Sequence, residues 1–151
     1  MKAEPPVPKE ELRRVALETM AAARFPMFAS VDHDQPRLRP VSPVKTEEFT
    51  VFVASMRNSG KTGELELNNK VELCYLSEGH DQVRITGAAE LVTDPIVRQR
   101  IWDENPLLRA FLKSIYNPEF HAVQSYAEPR ELHARVGAGV SGSADELSPA
   151  S

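Results

Sequence analysis

Residues 49–68, FTVFVASMRNSGKTGELELN, combine a strand, a short polar turn and the start of a helix. Apolar residues occupy every second position from Phe49 to Val53, which is the two-residue period of a β-strand. The turn that follows carries Ser59 and Lys61 at the point where the helix is predicted to begin. Because a helix start exposes unpaired N–H groups and a partial positive charge, we expect this turn to bind a phosphate-sized anion.

The tripeptide Gly60-Lys61-Thr62 is also the end of the P-loop of nucleotide triphosphatases. That motif requires a glycine five residues before Gly60, and the chain has Ser55 there. A P-loop enzyme also needs strands and helices that alternate around a parallel sheet, and the rest of the chain lacks this alternation. The sequence therefore favours a simple phosphate site over a triphosphatase.

The composition limits the class of protein. A chain of 151 residues with 41% apolar residues is long enough for one domain with a proper core. Its net charge of −4 argues against nucleic acid as the main partner, because no excess of cations is available to neutralise a phosphate backbone. The single cysteine, Cys74, excludes an internal disulfide and a CxxC site. From the lack of a signal peptide and of a long apolar run, we expect a cytoplasmic protein.

We predict one domain, residues 9–136, between a Pro-rich flexible tail at residues 1–8 and a disordered Gly/Ser-rich tail at residues 137–151. Within the domain, helices are predicted at residues 9–24, 61–67, 95–103 and 106–116, and strands at residues 25–31, 37–44, 49–55, 71–76, 82–92, 121–126 and 131–136. Short turns between the strands and the small number of helices favour a mainly β, α+β architecture, an antiparallel barrel of about six strands with flanking helices.

The strand predicted at residues 37–44 contains Pro40 and Pro43. Proline has no N–H to donate to a ladder, so this strand is expected at an edge or a bulge of the sheet. We expect the backbone groups of Val41, Ser42 and Pro43 to be available there to a ligand.

The remaining polar residues do not form a pattern typical of catalysis or metal binding, and we predict neither catalytic residues nor metal ligands. Cys74 follows Leu73 in an apolar strand and is expected to be a buried, unreactive thiol. The tripeptide Asp32-His33-Asp34 favours a hairpin turn, with a metal site as the less favoured alternative.

Three segments of the chain stand in a recognisable order: QPRLRPVSPV at residues 35–44, FVASMRNSGKTGELELNNKV at residues 52–71 and QVRITGAAE at residues 82–90. Each segment is similar to one motif of a known protein family. The first is similar to a strand with an arginine, and the second to a Ser-Arg-Lys turn followed by an Asn-Pro-x-Val run. The third is similar to a Gln-Val-x-x-x-Gly-x-x-Glu strand. Together they resemble the pyridoxamine 5′-phosphate oxidase-like superfamily of FMN-binding split β-barrels, in particular its general stress protein and nitroimidazole-resistance branches. The resemblance covers roughly residues 10–136.

The resemblance implies a split antiparallel barrel, a homodimer with the flavin at the subunit interface, and transfer of hydride or electrons through FMN. It assigns the FMN phosphate to Arg39, Ser59 and Lys61, which supply cations and donors. The remaining implied cofactor-binding residues are Val41, Ser42 and Pro43 at the ring edge, Ser55 at the phosphate or ribityl chain, and Gln82 at the ring or phosphate.

Two positions depart from the oxidase branch that the chain resembles. Gly60 stands where that branch has an arginine, and Val44 where it has a lysine. We therefore do not expect true pyridoxamine phosphate oxidation. With one phosphate cation lost, the deazaflavin F420 or haem stays an alternative ligand. A non-catalytic flavin-, F420- or haem-binding module of a stress response or sensor is the alternative to an oxidoreductase.

Overall fold

The computed structural model describes residues 9–55, 67–136 and 140–142, which form one curved antiparallel sheet with helices packed against it. The helices are α1 (Lys9–Ala23), α2 (Pro95–Glu104) and α3 (Pro106–Leu112). The strands are β1 (Met27–Asp32), β2 (Gln35–Pro40), β3 (Pro43–Glu47), β4 (Thr50–Ser55), β5 (Lys70–Leu76), β6 (Gln82–Leu91), β7 (His121–Val136) and β8 (Val140–Gly142). None of the helices in these residues has the length and apolar character needed to cross a membrane.

The strand order explains why the sheet is curved. The order is β2-β1-β5-β6-β7-β4-β3, with β8 paired to β7, so β2 and β3 stand at opposite ends. Only two residues, Val41 and Ser42, separate these strands in the chain. A flat sheet of this order would hold its edges about 28 Å apart, whereas the chain from Pro40 to Pro43 reaches at most about 11 Å. The sheet is therefore bent until its edges approach each other. The predicted antiparallel split barrel with flanking helices is confirmed, and we call the gap between β2 and β3 the seam.

Alternation along the strands places the main core inside the barrel. Phe28, Leu73 and Ile85 are cross-strand neighbours on β1, β5 and β6, and all three are buried. Helix α1 packs the stripe of Leu12 and Ala16 against the same cluster. The helix predicted at residues 9–24 is therefore confirmed, and its apolar face covers the interior of the barrel.

A second core lies on the other side of β4 and β7, under α2 and α3. Ile101 is fully buried there, and the rings of Trp102 and Phe120 meet edge to face with centroids 5.6 Å apart. Helix α2 begins where the side chain of Asp94 accepts a hydrogen bond from the N–H of Ile96. These helices cover β4 and β7, and β4 pairs with β3, the strand at one side of the seam.

The strand predicted at residues 37–44 is in fact two strands. The N–H of Val41 donates to the carbonyl of Pro26 at 3.0 Å, which keeps the chain beside β1 for one residue beyond β2. The chain then crosses to β4, where the register shifts between Pro43 and Lys45. A local period cannot reveal this change of partner, because both halves have extended backbone.

The two strands predicted at residues 121–126 and 131–136 are one strand, β7. Its ladder with β6 shifts between Ile85 and Gly87, whose partners are Leu132 and Ala127. The four residues between those partners include Pro129, so a β-bulge accommodates the proline without ending the strand.

Two further predictions fall on residues that the structure does not describe. They are the tail at residues 1–8 and the helix at residues 61–67, of which only Leu67 is described. Within the segment expected to be a disordered tail, Val140–Gly142 pairs with the end of β7 as β8.

Candidate functional site

Arg39 is fixed on the inner side of the sheet next to the seam. Its Nη1 and Nη2 both donate to the Ser30 hydroxyl at 3.0 Å, and the guanidinium lies 5.8 Å from the centre of the Phe28 ring. Arg39 and Phe28 are direct partners in the β1–β2 ladder. Since Phe28 is buried in the core, Arg39 shares its inner face. Ser30 was not predicted, although its position two residues after Phe28, in a strand with inward apolar positions, indicates that it faces inward.

The backbone between β2 and β3 offers fewer donors than the sequence predicted. Val41 is buried and its N–H is already paired with the carbonyl of Pro26. Pro43 has no N–H. The remaining N–H of this segment belongs to Ser42, an exposed residue.

Ser55 ends β4 beside this same segment. Pro43 pairs with Val53 in the antiparallel β3–β4 ladder, so the chain of β4 runs toward Ser55 as β3 is followed back toward Val41. Arg39, residues 41–43 and Ser55 are therefore gathered at one end of the seam. Ser59 and Lys61, which follow Ser55 by four and six residues, lie outside the described residues.

His121 is a neighbour of this end that the sequence did not single out. It is the cross-strand partner of Ser55 in the β4–β7 ladder. Its Nε2 is buried and has no hydrogen-bond partner among the described residues. Only the strand pairing brings it to Ser55, since the two residues are far apart in sequence.

Gln82 is not brought together with Arg39 in one chain. It begins β6, three strands from β2, which corresponds to about 14 Å along a sheet. Val83 and Ile85 point inward and are buried, so Gln82 lies on the outer face, opposite to the inner face that Arg39 occupies. Its ladder partner on β5 is Leu76.

Exposed apolar side chains cover this outer face. We define the outer apolar face by Phe25, Met27, Leu38 and Leu76, which belong to or flank β1, β2 and β5 and are 37–66% exposed. Cys74, the ladder partner of Met27, lies on the same side and is only partly buried, because alternation turns it away from the core. Its partial burial still raises the pKa of the thiol.

The turn at Asp32-His33-Asp34 is a two-residue hairpin turn, as predicted. The carboxylate of Asp32 lies 3.0 Å from Nδ1 of His33 and 3.3 Å from Nη2 of Arg37, and these contacts lower the pKa of Asp32. His33 has a left-handed backbone with φ of 60°. Within the described part of the chain, no three His, Cys, Asp or Glu residues are arranged to hold a metal ion.

Several solved structures share this fold. A protein related to general stress protein 26, of the pyridoxinephosphate oxidase family, from Clostridium acetobutylicum has a TM-score of 0.75 and 14% identity, over 93% of this chain and 99% of that one. A NimC/NimA family protein from Clostridium acetobutylicum has a TM-score of 0.70 and 20% identity, over 89% and 92%. A FAD-binding protein from Mesorhizobium loti has a TM-score of 0.59 and 16% identity, over 76% and 88%. At these identities the likeness shows the fold.

The sequence itself gives the family. None of the curated proteins matches the chain in sequence. A family model described as pyridoxamine 5′-phosphate oxidase matches residues 12–129, from the first turn of α1 into the second half of β7. This match spans the seam, the outer apolar face and both cores. The chain therefore belongs to the pyridoxamine 5′-phosphate oxidase family.

Proposed function

We propose that this protein is a flavoprotein that binds FMN at the interface of a homodimer and transfers hydride or electrons through it. The observation that carries the proposal is the grouping of Arg39, residues 41–43 and Ser55 at one end of the seam, in a chain of the pyridoxamine 5′-phosphate oxidase family. When bound, FMN supplies the redox chemistry. The protein's residues hold and orient it.

The phosphate end of the ligand would use Arg39 with Ser59 and Lys61. Arginine presents a planar set of donors that matches phosphate oxygens, and its contact with Ser30 orients it beforehand. Ser59 and Lys61 follow β4 closely in sequence. The last residue of β4, Ser55, lies at the same end of the seam as Arg39 near the end of β2. Together these residues offer two cations and several N–H or O–H donors, which suits one phosphate group.

The ring end would use the segment that follows Arg39. The exposed Ser42 offers an N–H and a hydroxyl, while Pro43 offers an apolar surface and a carbonyl. These are the groups that a flat apolar ring with polar edges requires. Val41 would contribute its carbonyl, since its N–H is used by Pro26.

The outer apolar face supports a dimer. Its side chains are large, apolar and exposed on neighbouring strands, which is the pattern of a surface that a partner covers. Gln82 stands on this side next to Leu76. Within one chain, Gln82 and Arg39 lie far apart and on opposite faces of the sheet. In a dimer through the outer apolar face, Gln82 of one copy would instead reach a ligand that the other copy holds at its seam.

Titration of the flavin-free chain with FMN, FAD and riboflavin tests the cofactor. We expect FMN to bind more tightly than FAD, because the cation set suits a single terminal phosphate. Replacing Lys61 by Ala should weaken FMN binding about ten- to a hundredfold and leave riboflavin almost unchanged, since only the phosphate contact is lost. The matched control is Lys70→Ala, an exposed lysine on β5. Equal affinity for FMN and FAD, or no binding of either, would overturn the cofactor assignment.

A second measurement separates an oxidoreductase from a flavin store or sensor. The FMN-loaded protein is mixed with NADH or NADPH without oxygen, and the bleaching of flavin absorbance is followed before an electron acceptor is added. An oxidoreductase reduces and reoxidises its flavin over repeated cycles. Flavin that stays oxidised with both donors identifies a non-catalytic binding protein.

A further inference from the structure

A cavity of about 420 Å³ lies between α1 and β3, on the inner side of the sheet. Leu17 and Met20 of α1 form one wall, Pro43 of β3 lies on the opposite side, and the buried Tyr75 of β5 forms its inner end. Small-molecule sites in proteins have volumes of about 300–1,000 Å³ and are mostly apolar, with a few polar groups. The cavity has the size and the walls of such a site.

The inner end of the cavity carries an unsatisfied polar group. Tyr75 is only 2% exposed, and its hydroxyl has no hydrogen-bond partner among the described residues. The side chain of Thr46 interacts with this hydroxyl but does not reach hydrogen-bonding geometry. Buried hydroxyls are nearly always paired, so this one is available to a hydrogen-bond acceptor that enters the cavity.

Among the charged residues that line the cavity, Arg24 is the one without an ion pair to another described residue. Lys45 is paired with Glu104 at 2.8 Å, and Glu48 is paired with Arg13. Arg24 follows α1 with a left-handed backbone, lies over the ring of Phe25 and forms no ion pair with any described residue. An anionic group is therefore favoured at this position.

We propose that this cavity binds a small apolar carboxylate, with its carboxylate at Arg24, its apolar body against Leu17, Met20 and Pro43, and a hydrogen-bond acceptor at the hydroxyl of Tyr75. The proposal goes beyond the flavin assignment and does not depend on it. Among the predicted flavin residues that the structure describes, Pro43 is the one that also lines the cavity.

Three matched probes separate the contributions of the two polar groups. 4-Acetylbenzoate carries both a carboxylate and an acceptor, 4-acetylbenzamide lacks the charge, and 4-isopropylbenzoate lacks the acceptor at almost the same shape. Calorimetric titration of the full chain, with and without FMN, should show 4-acetylbenzoate binding at one site per chain, more tightly than either analogue. Saturation with the same affinity in flavin-free protein shows that the cavity is independent of the cofactor.

Two variants assign the polar contacts. Tyr75→Phe should weaken 4-acetylbenzoate about three- to tenfold and leave 4-isopropylbenzoate unchanged, because only the hydroxyl is removed. Arg24→Gln should weaken both acids by a similar factor and leave the amide unchanged. Arg14→Gln is the control for charge, since Arg14 is an exposed cation of α1 that does not line the cavity.

A third pair of variants tests the location. Ala21 is exposed on α1 and lines the cavity, whereas the next residue, Ala22, lines a different surface depression. Ala21→Trp should abolish binding of 4-acetylbenzoate by filling the mouth, and Ala22→Trp should leave it intact. The proposal is overturned if 4-acetylbenzoate does not saturate at millimolar concentration, or if Ala21→Trp and Tyr75→Phe both bind it as the original chain does.

Discussion

Arg39 and Ser30 form an unusual pair, in which both terminal nitrogens of the guanidinium donate to one hydroxyl oxygen at 3.0 Å. The ring of Phe28 lies against the same guanidinium. These contacts restrict the orientation of a long side chain that would otherwise have many rotamers. The side chain of Arg39 is therefore already ordered before an anion binds, so binding loses less conformational entropy.

The contact between Arg39 and Ser30 leads to a prediction about phosphate affinity. Arg39→Gln should weaken FMN binding about tenfold, because it removes a charge-assisted contact, and Ser30→Ala should weaken it by a smaller factor of about three, because the arginine keeps its charge but loses its support. Isothermal titration with FMN and riboflavin measures both effects. The control is Arg37→Gln, an exposed arginine of the same strand that pairs with Asp32. A loss of riboflavin affinity equal to that of FMN would show that Arg39 supports the fold rather than the phosphate.

The outer apolar face leads to a prediction about assembly. The chain should sediment at equilibrium as a dimer of about twice 16.8 kDa. Leu38→Glu and Leu76→Glu should each shift it toward the monomer and release flavin, because a buried charge in an apolar interface is strongly unfavourable. Leu107→Glu serves as the control, since Leu107 is 86% exposed on α3, away from this face. A monomer that retains one FMN per chain would contradict the interface assignment.

Burial of Tyr75 leads to a prediction about alkaline stability. Burial raises the pKa of Tyr75 from 10 to about 12. Below pH 10 both the folded and the unfolded chain keep this proton, so the contribution is constant. Between pH 10 and 12 the unfolded chain loses the proton while the folded chain retains it, so the free energy of unfolding falls with pH, by roughly 2–3 kcal/mol over this range.

Denaturant unfolding of the original chain and of Tyr75→Phe at pH 8 to 12 measures this contribution. At pH 8 the variant should be as stable as the original chain or more stable, because it removes an unpaired buried hydroxyl. As the pH rises from 10 to 12, the original chain should lose more stability than the variant. Parallel pH profiles for the two proteins would show that Tyr75 ionises equally in both states.

The second core leads to a prediction about unfolding free energy. Ile101→Ala should lower the free energy of unfolding by about 2–5 kcal/mol, because it opens a cavity under α2 at a fully buried position. Ile96→Ala on the same helix should change it by less than about 0.5 kcal/mol, because Ile96 is 72% exposed. Urea unfolding followed by circular dichroism compares the two. Equal effects would mean that α2 does not pack as described.

Local patterns predicted the parts of the fold that depend on neighbours in sequence. The alternation from Val83 to Leu91 predicted β6, and the stripe that includes Leu12 and Ala16 predicted α1, since each element buries one face. The break at Val41 escaped prediction because it depends on the carbonyl of Pro26, a partner outside the segment. For the same reason, two strands were predicted at residues 121–126 and 131–136, where β7 in fact continues through a bulge.

The candidate site shows the same division. Arg39 and Pro43 could be assigned together because they lie four residues apart in one motif. Ser30 and His121 were not assigned with them. The alternation of β1 indicates that Ser30 faces inward like Phe28, but only the pairing of β1 with β2 places it beside Arg39, and only the pairing of β4 with β7 places His121 beside Ser55. Alternation predicted that Gln82 points away from Val83, but only the strand order showed how far it lies from Arg39.

The short connection between β2 and β3 also has a consequence for how the domain folds. The strands β2 and β3 reach their final positions only when the five strands between them in the sheet have paired. Some of these pairings join distant residues, such as Ser125 and Val51, which are 74 residues apart. Such distant pairings lose chain entropy on loop closure before any contact stabilises them, so we expect folding on the order of milliseconds to seconds. The seam should accordingly be completed late in folding, and the ligand positions beside it should be absent from early intermediates.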